Sequence, residues 1–246
     1  MTTCSAVLCD LFDTLVHFNY ERLPRVHWLG RTLPSTAPVL LPLLTPQRPE
    51  LTAEEILGAM IQASTTLKTR GPLHREFPSS ERMGVMLEVL GLPRDMNLEV
   101  ALGRAHTSLL CEVVHFPPEY RGLLVDLRRR GPVVLVSNFD HAESCRRMLS
   151  RLEMDGLFDD VVISEEVGWR KPHPDIFTRA LAGAGVEPSR ALFVGDNLDA
   201  DVWGAHHAGI PAVWINAKGR SLPSDLPGGT QVIQTFNQLR DIIGRY

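Results

Sequence analysis

The residue types able to do chemistry gather in four fragments. VLCDLFDTLV at 7–16 is an apolar run interrupted by Asp10 and Asp13, with Phe12 between them. VVLVSN at 133–138 ends in Ser137 and Asn138, WRKPHPDIF at 169–177 carries Lys171, and LFVGDNLDAD at 192–201 carries Asp196 and Asp201. Carboxylates can attack as nucleophiles, and their hard oxygens can hold a divalent cation. An ammonium or a hydroxyl can hold an anion. Taken singly, each residue has a plainer explanation. Ser-Asn after a strand is more often a turn, Lys171 a solvated loop cation, and Asp196 and Asp201 helix N-terminal caps. Their conjunction, in order along the chain, is what favours a site.

Such residues must be carried by elements that end near one another. From about residue 116 onward, short β-rich runs alternate with helical patterns. Residues 117–131 start with Pro, carry an apolar stripe and end in Gly, which predicts a helix with start and stop signals. Strands are predicted at 133–140, 160–164, 191–196 and 211–216, with helices over 141–154, 174–185 and 200–209. The runs are apolar on both faces and separated by helices, as in a parallel sheet covered on two sides. The opening strand, residues 5–10, is expected to join it. Ligands bind beyond the carboxyl ends of the strands in such sheets, and Asp10, Ser137, Ser164 and Asp196 all fall at or near such ends.

Residues 17–115 contain no comparable β-rich runs. LTAEEILGAMIQASTTLKTR (51–70) opens with a capping box of Thr52 and Glu55 and continues with helical spacing, and 79–92 and 97–114 are also helical. An all-helical insertion is therefore expected between the first strand and the rest of the sheet. Its Pro-rich part, 33–49, is expected to be an ordered loop or lid edge.

Composition excludes several classes. The 246 residues suffice for a substantial core, and 44% apolar with 22% charged residues is ordinary for a globular chain. Net charge is -4 and the pI about 6.1, and the one basic cluster, Arg128–Arg130, ends an amphipathic stretch, which disfavours nucleic acid. No stretch approaches the ~18 apolar residues of a membrane span. Cys4, Cys9, Cys111 and Cys145 show no CxxC pairing or His-linked metal spacing, and the first residues do not form a basic leader, so a reducing, cytoplasmic location is expected.

The four fragments together resemble the haloacid dehalogenase superfamily, whose phosphatases carry a DxDGT[LV] loop, a strand ending in Ser or Thr, a Lys before a Pro, and GDxxxxD. The resemblance spans the whole inferred α/β core. It implies a Rossmann-like core domain (1–16 and 116–246) with an inserted helical cap (17–115). By the same resemblance, Thr14 and Leu15 set the register in which Asp10 is the nucleophile. Asp10, Asp196, Asp201 and the backbone carbonyl of Phe12 hold Mg²⁺. Lys171 sits against Asp10 and the phosphate, and Ser137, with the Asn138 amide nearby, offers its hydroxyl to a phosphate oxygen. The implied partner is a small phosphorylated metabolite, with the protein a monomer or a homodimer.

One letter departs from that pattern. The residue two after the nucleophile is usually an Asp, which protonates the leaving oxygen and later activates water; here it is Phe12. A positioned acid or base contributes roughly 10²- to 10⁴-fold, and a phenyl ring supplies none of it. Dehalogenases of the superfamily also carry an aromatic residue there, because halide leaves without a proton. Their last motif, however, reads Ser-x-Asn-x-x-Asp, and this chain has Asp196 and Leu198 where that Ser and Asn fall. A Mg²⁺-dependent phosphatase is the better expectation, 2-haloacid dehalogenation through an ester on Asp10 the rival, and a catalytically silent binding protein the third class.

Asp13 stands where the family usually has Gly and is expected to serve the turn, since Asp tolerates left-handed geometry. His17 and Glu21 remain candidates for a displaced acid. His206 and His207, adjacent on a helix, do not face one site.

Overall fold

The computed structural model describes residues 4–243. The chain divides into two compact units. One holds the chain up to His17, then His115–Phe139 and everything from Leu149; the other holds Phe18–Val114 and Asp140–Met148.

The first unit is built on a six-stranded sheet. Its order is Gln231–Ile233, Ala212–Ile215, Ala191–Gly195, Ala6–Cys9, Val133–Ser137 and Asp160–Ile163, and every neighbouring pair is parallel. The opening strand lies inside the sheet, with Leu8 facing Val134 on one side and Phe193 on the other. A parallel sheet covered on both faces demands apolar side chains on both. Ala6, Val7, Leu8 and Cys9 are accordingly all buried. Leu8, Val136, Phe177, Phe193 and Trp214 share one core cluster, each full burial contributing about 1.5–3 kcal/mol. Because the strands run in parallel, Asp10, Ser137, Asp196 and Asn216 all follow from the same edge of the sheet.

Helices Pro118–Arg128 and Pro174–Ala184 lie within the stretches that their terminal signals predict. The predicted helix at 200–209 starts earlier, as a π-helix over Leu198–Trp203 that runs into the α-turn Gly204–His207. The strand Gln231–Ile233 was not legible, because three residues with only Ile233 buried carry no periodic signal.

The second unit packs helices Ala37–Leu44, Ala53–Arg70, Ser79–Val89 and Met96–Glu112 around Leu40, Ile56, Met83, Met86 and Leu102. The capping box is present: Glu55 N–H donates to Thr52 Oγ1 (3.2 Å) and Thr52 N–H to Glu55 Oε2 (3.0 Å). Three expectations need correction here. The insertion is not all-helical, since Arg25–Trp28 and Arg31–Pro34 form an antiparallel hairpin. Its two turn residues, Leu29 and Gly30, both have positive φ (49° and 74°), a geometry that Asn-Gly would have announced and Leu-Gly does not. The Pro-rich segment is not a loop. Pro38 sits at the start of helix Ala37–Leu44, where its missing N–H costs nothing, and Pro42 lies inside it. Finally, Asp140–Met148 clusters with the insertion rather than with the core: Ser79 N–H donates to Asp140 O (2.7 Å), Arg82 pairs with the Asp140 carboxylate, and Thr107 Oγ1 meets Ser144 Oγ at 3.0 Å.

Candidate active site

The site is built where the sheet ends. Asp10 leaves the opening strand with its N–H on Val194 O (2.9 Å), so its backbone stays in the ladder. The chain then turns sharply. Asp13 adopts φ 59° and donates its N–H to Val16 O at 2.7 Å, while Leu11 and Leu15 anchor the turn in the core. Asp13 is exposed, as a turn residue would be. Phe12 is half-buried, its ring centroid 5.1 Å from that of Phe139.

Lys171 is 3% exposed and delivers its ammonium to three acceptors: Asp10 Oδ1 at 2.5 Å, Asp201 Oδ1 at 2.7 Å and Val136 O at 2.8 Å. An ammonium has three protons, so each finds a partner. Burial works against the charge of Lys171, but the Asp10 and Asp201 carboxylates outweigh it and raise its pKa. The loop bearing Lys171 is held by Asn138, whose Oδ1 accepts Lys171 N–H (2.7 Å) and whose Nδ2 donates to Lys171 O (3.1 Å). Asn138, expected with its amide near the substrate, thus also positions the segment that carries Lys171.

Asp201 is 1% exposed, and its Oδ2 accepts the Asn197 N–H at 2.9 Å. Gly195 is required for this approach, because a Cβ there would lie 2.3 Å from Asp201 Oδ2. Asp196 is tied through its carbonyl to Trp214 Nε1 (3.0 Å). Burial, with the Asp10, Asp201 and Asp13 carboxylates adding to it, pushes the Asp196 carboxyl up to about 7. Burial also raises Asp201, to about 6, against the opposing pull of Lys171.

Carboxylate oxygens of Asp10, Asp196 and Asp201 all lie within 4.8 Å of one another. Three carboxylates against one ammonium leave two negative charges, which a divalent cation would neutralise. The donor set therefore fits Mg²⁺, a hard ion that prefers such oxygens. Two buried hydroxyls at the same edge of the sheet as this cluster, Thr14 Oγ1 and Ser137 Oγ, have no hydrogen-bond partner among the described residues. An orphaned buried hydroxyl costs about 1–3 kcal/mol, so Ser137, at the end of its strand, is available to a ligand oxygen. Ser164, by contrast, is engaged: its Oγ accepts Phe139 N–H (2.9 Å) and donates to Phe139 O (3.2 Å).

The family model of haloacid dehalogenase-like hydrolases matches residues 100–209, which include Ser137, Lys171, Asp196 and Asp201. That part of the chain is similar to haloacid dehalogenase-like hydrolases. Among similar proteins, a glyceraldehyde 3-phosphate phosphatase from Pyrococcus furiosus is 37% identical over 40% of this chain. A pyrimidine 5'-nucleotidase from Escherichia coli is 31% identical over 59% of it. The chain spans 41% of the length of the first relative and 64% of the second. The fold extends over the whole chain: a 2-haloacid dehalogenase structure from Pseudomonas syringae superposes with a TM-score of 0.72 over 99% of both chains, at 22% identity. Among the described residues no helix is long and apolar enough to cross a membrane.

Proposed function

We propose that the protein is a Mg²⁺-dependent phosphatase of small phosphorylated metabolites, with Asp10 as nucleophile. The observation that carries this is the convergence of Asp10, Asp196 and Asp201 on one point with a single lysine to balance them. A site for a haloacid, itself an anion, gains nothing from two extra carboxylates. The phosphatase relatives above support the same choice.

In this proposal Asp10 attacks phosphorus, the P–O ester bond breaks, and water later cleaves the aspartyl phosphate to regenerate Asp10. Lys171 holds the Asp10 carboxylate in place and offsets the charge of the incoming phosphate. Ser137 donates its hydroxyl to a phosphate oxygen. Asp10, Asp196, Asp201 and the Phe12 carbonyl would hold Mg²⁺, which when bound would supply positive charge to the phosphoryl oxygens. Phe12 cannot give the departing oxygen a proton, so substrates with acidic leaving groups should be the better ones. The buried thiols of Cys9, Cys111 and Cys145 fit a reducing, cytoplasmic location.

Phosphate release from an aryl phosphate tests the proposal: it should require Mg²⁺ and disappear in Asp10→Ala. Full activity in that variant, or none lost to a chelator, would overturn it. Phe12 itself favours a second reading, 2-haloacid dehalogenation through an ester on Asp10. Halide release from 2-chloropropionate in the presence of a chelator would establish that reading instead.

A further inference from the structure

Beside the acidic cluster lies a cleft of about 160 Å³ in the core unit, lined among others by Asp13, His17, Asp196, Asn216, Lys218 and Arg220. Whole-ligand pockets run to roughly 300–1,000 Å³, so a space this size suits one functional group of a substrate whose reacting group sits next door. Asp196 is shared between the cleft and the carboxylate cluster. A group in the cleft is therefore adjacent to the reacting centre.

The wall facing Asp196 is the loop that follows the strand Ala212–Ile215, and it is a built structure. The Asn216 side chain, buried to 7% exposure, accepts Arg220 N–H (2.9 Å) on Oδ1 and donates from Nδ2 to Arg220 O (2.8 Å). Gly219 closes the turn at φ 60°, with its N–H on Asn216 O (3.1 Å). The loop base is pinned to the metal-binding segment by the bond from Trp214 Nε1 to Asp196 O (3.0 Å). Lys218 and Arg220 are thus two exposed cations lining the cleft on a loop whose backbone Asn216 fixes.

We infer that this cleft is a substrate subsite in which Lys218 and Arg220 receive a second anionic group, a carboxylate, carried by the phosphomonoester. The inference rests on the phosphatase proposal and deepens it, since it names the substrate class. An arginine can take a carboxylate with two parallel N–H bonds, and a neighbouring lysine adds a point charge. Asp13, on the rim, repels a misplaced anion and so favours the orientation that puts the carboxylate on the cationic side.

The test compares 3-phosphoglycerate with glycerol 3-phosphate, which share a three-carbon phosphate ester and differ by the carboxylate. The Mg²⁺-loaded protein should show a kcat/KM at least about tenfold higher for 3-phosphoglycerate, and the Lys218→Met/Arg220→Met double variant should lose that preference. Calorimetric titration of both compounds into Asp10→Asn, with and without the double substitution, reads the subsite without turnover. The same tenfold preference should be present in Asp10→Asn and absent when both cations are gone. Equal affinity for the two compounds, or a preference that survives loss of both cations, would overturn the subsite. A retained binding preference with no phosphate release from either compound or from an aryl phosphate would overturn the phosphatase proposal and leave the subsite standing.

Discussion

Lys171 Nζ lies 2.5 Å from Asp10 Oδ1, although 161 residues separate the two along the chain. The same ammonium reaches Asp201 at 2.7 Å, so it sits between two carboxylates that would otherwise face each other. In Lys171→Met both charges lose that partner. Phosphate release should fall by at least about 10²-fold, the scale of losing one charge-stabilising donor. Steady-state phosphate release with saturating Mg²⁺ checks this, and a loss under tenfold would show that Lys171 only fills space.

Gly195 stands where any side chain would collide with Asp201. A Cβ would meet Asp201 Oδ2 at 2.3 Å, Cγ at 2.4 Å and Cβ at 2.6 Å, and Asp201 has no room to retreat because it is 1% exposed. Gly195→Ala should therefore displace a carboxylate of the cluster. The Mg²⁺ concentration for half-maximal activity should rise by roughly 10- to 100-fold, as when a group that orients a metal ligand is altered. A Mg²⁺ titration of activity reads it directly.

The second unit has its own pH dependence. His106 is buried, with Nδ1 2.6 Å from Thr36 Oγ1. Burial lowers its pKa to about 4, with Arg82 adding to the shift and Asp140 opposing it. The unfolded chain takes up the proton near pH 6.5 and the folded chain only near 4. Stability from this residue is therefore complete above about pH 6.5 and is lost as pH falls toward 4, by about 3 kcal/mol in all. Urea unfolding between pH 7 and 5 should show this slope, and His106→Gln should flatten it.

The places where sequence was informative share a physical cause. Asp10, Ser137 and Asp196 could be placed at strand ends because a buried parallel strand is an uninterrupted apolar run, and its first polar residue marks the edge of the sheet. The roles of Asn138 and Gly195 were not legible. Both depend on approach between segments distant in sequence or on a side-chain clearance, for which a single chain carries no periodic signal. The hairpin at 25–34 and the helix Ala37–Leu44 were missed for a different reason, since Leu29 and Pro42 each run against local propensity.

Phe12 offers a gain-of-function test. Its half-buried ring stacks obliquely on Phe139 and carries no proton to give. Phe12→Asp should raise the rate on an alkyl phosphate such as glycerol 3-phosphate by about 10²-fold or more, with a much smaller change on an aryl phosphate whose leaving group needs no acid. No increase on the alkyl ester would show that another residue already supplies the proton.

Hydrolysis through Asp10 is tested most directly by capturing the covalent enzyme. The protein is mixed with an aryl phosphate and Mg²⁺, quenched in acid, digested and analysed by mass spectrometry. A phosphoryl adduct should be found on Asp10, should require Mg²⁺ and should be absent in Asp10→Asn. An unmodified Asp10 in that reaction, together with a 1-carboxyethyl ester on Asp10 after mixing with 2-chloropropionate and chelator, would contradict phosphoryl transfer and assign the nucleophile to carbon–halogen cleavage.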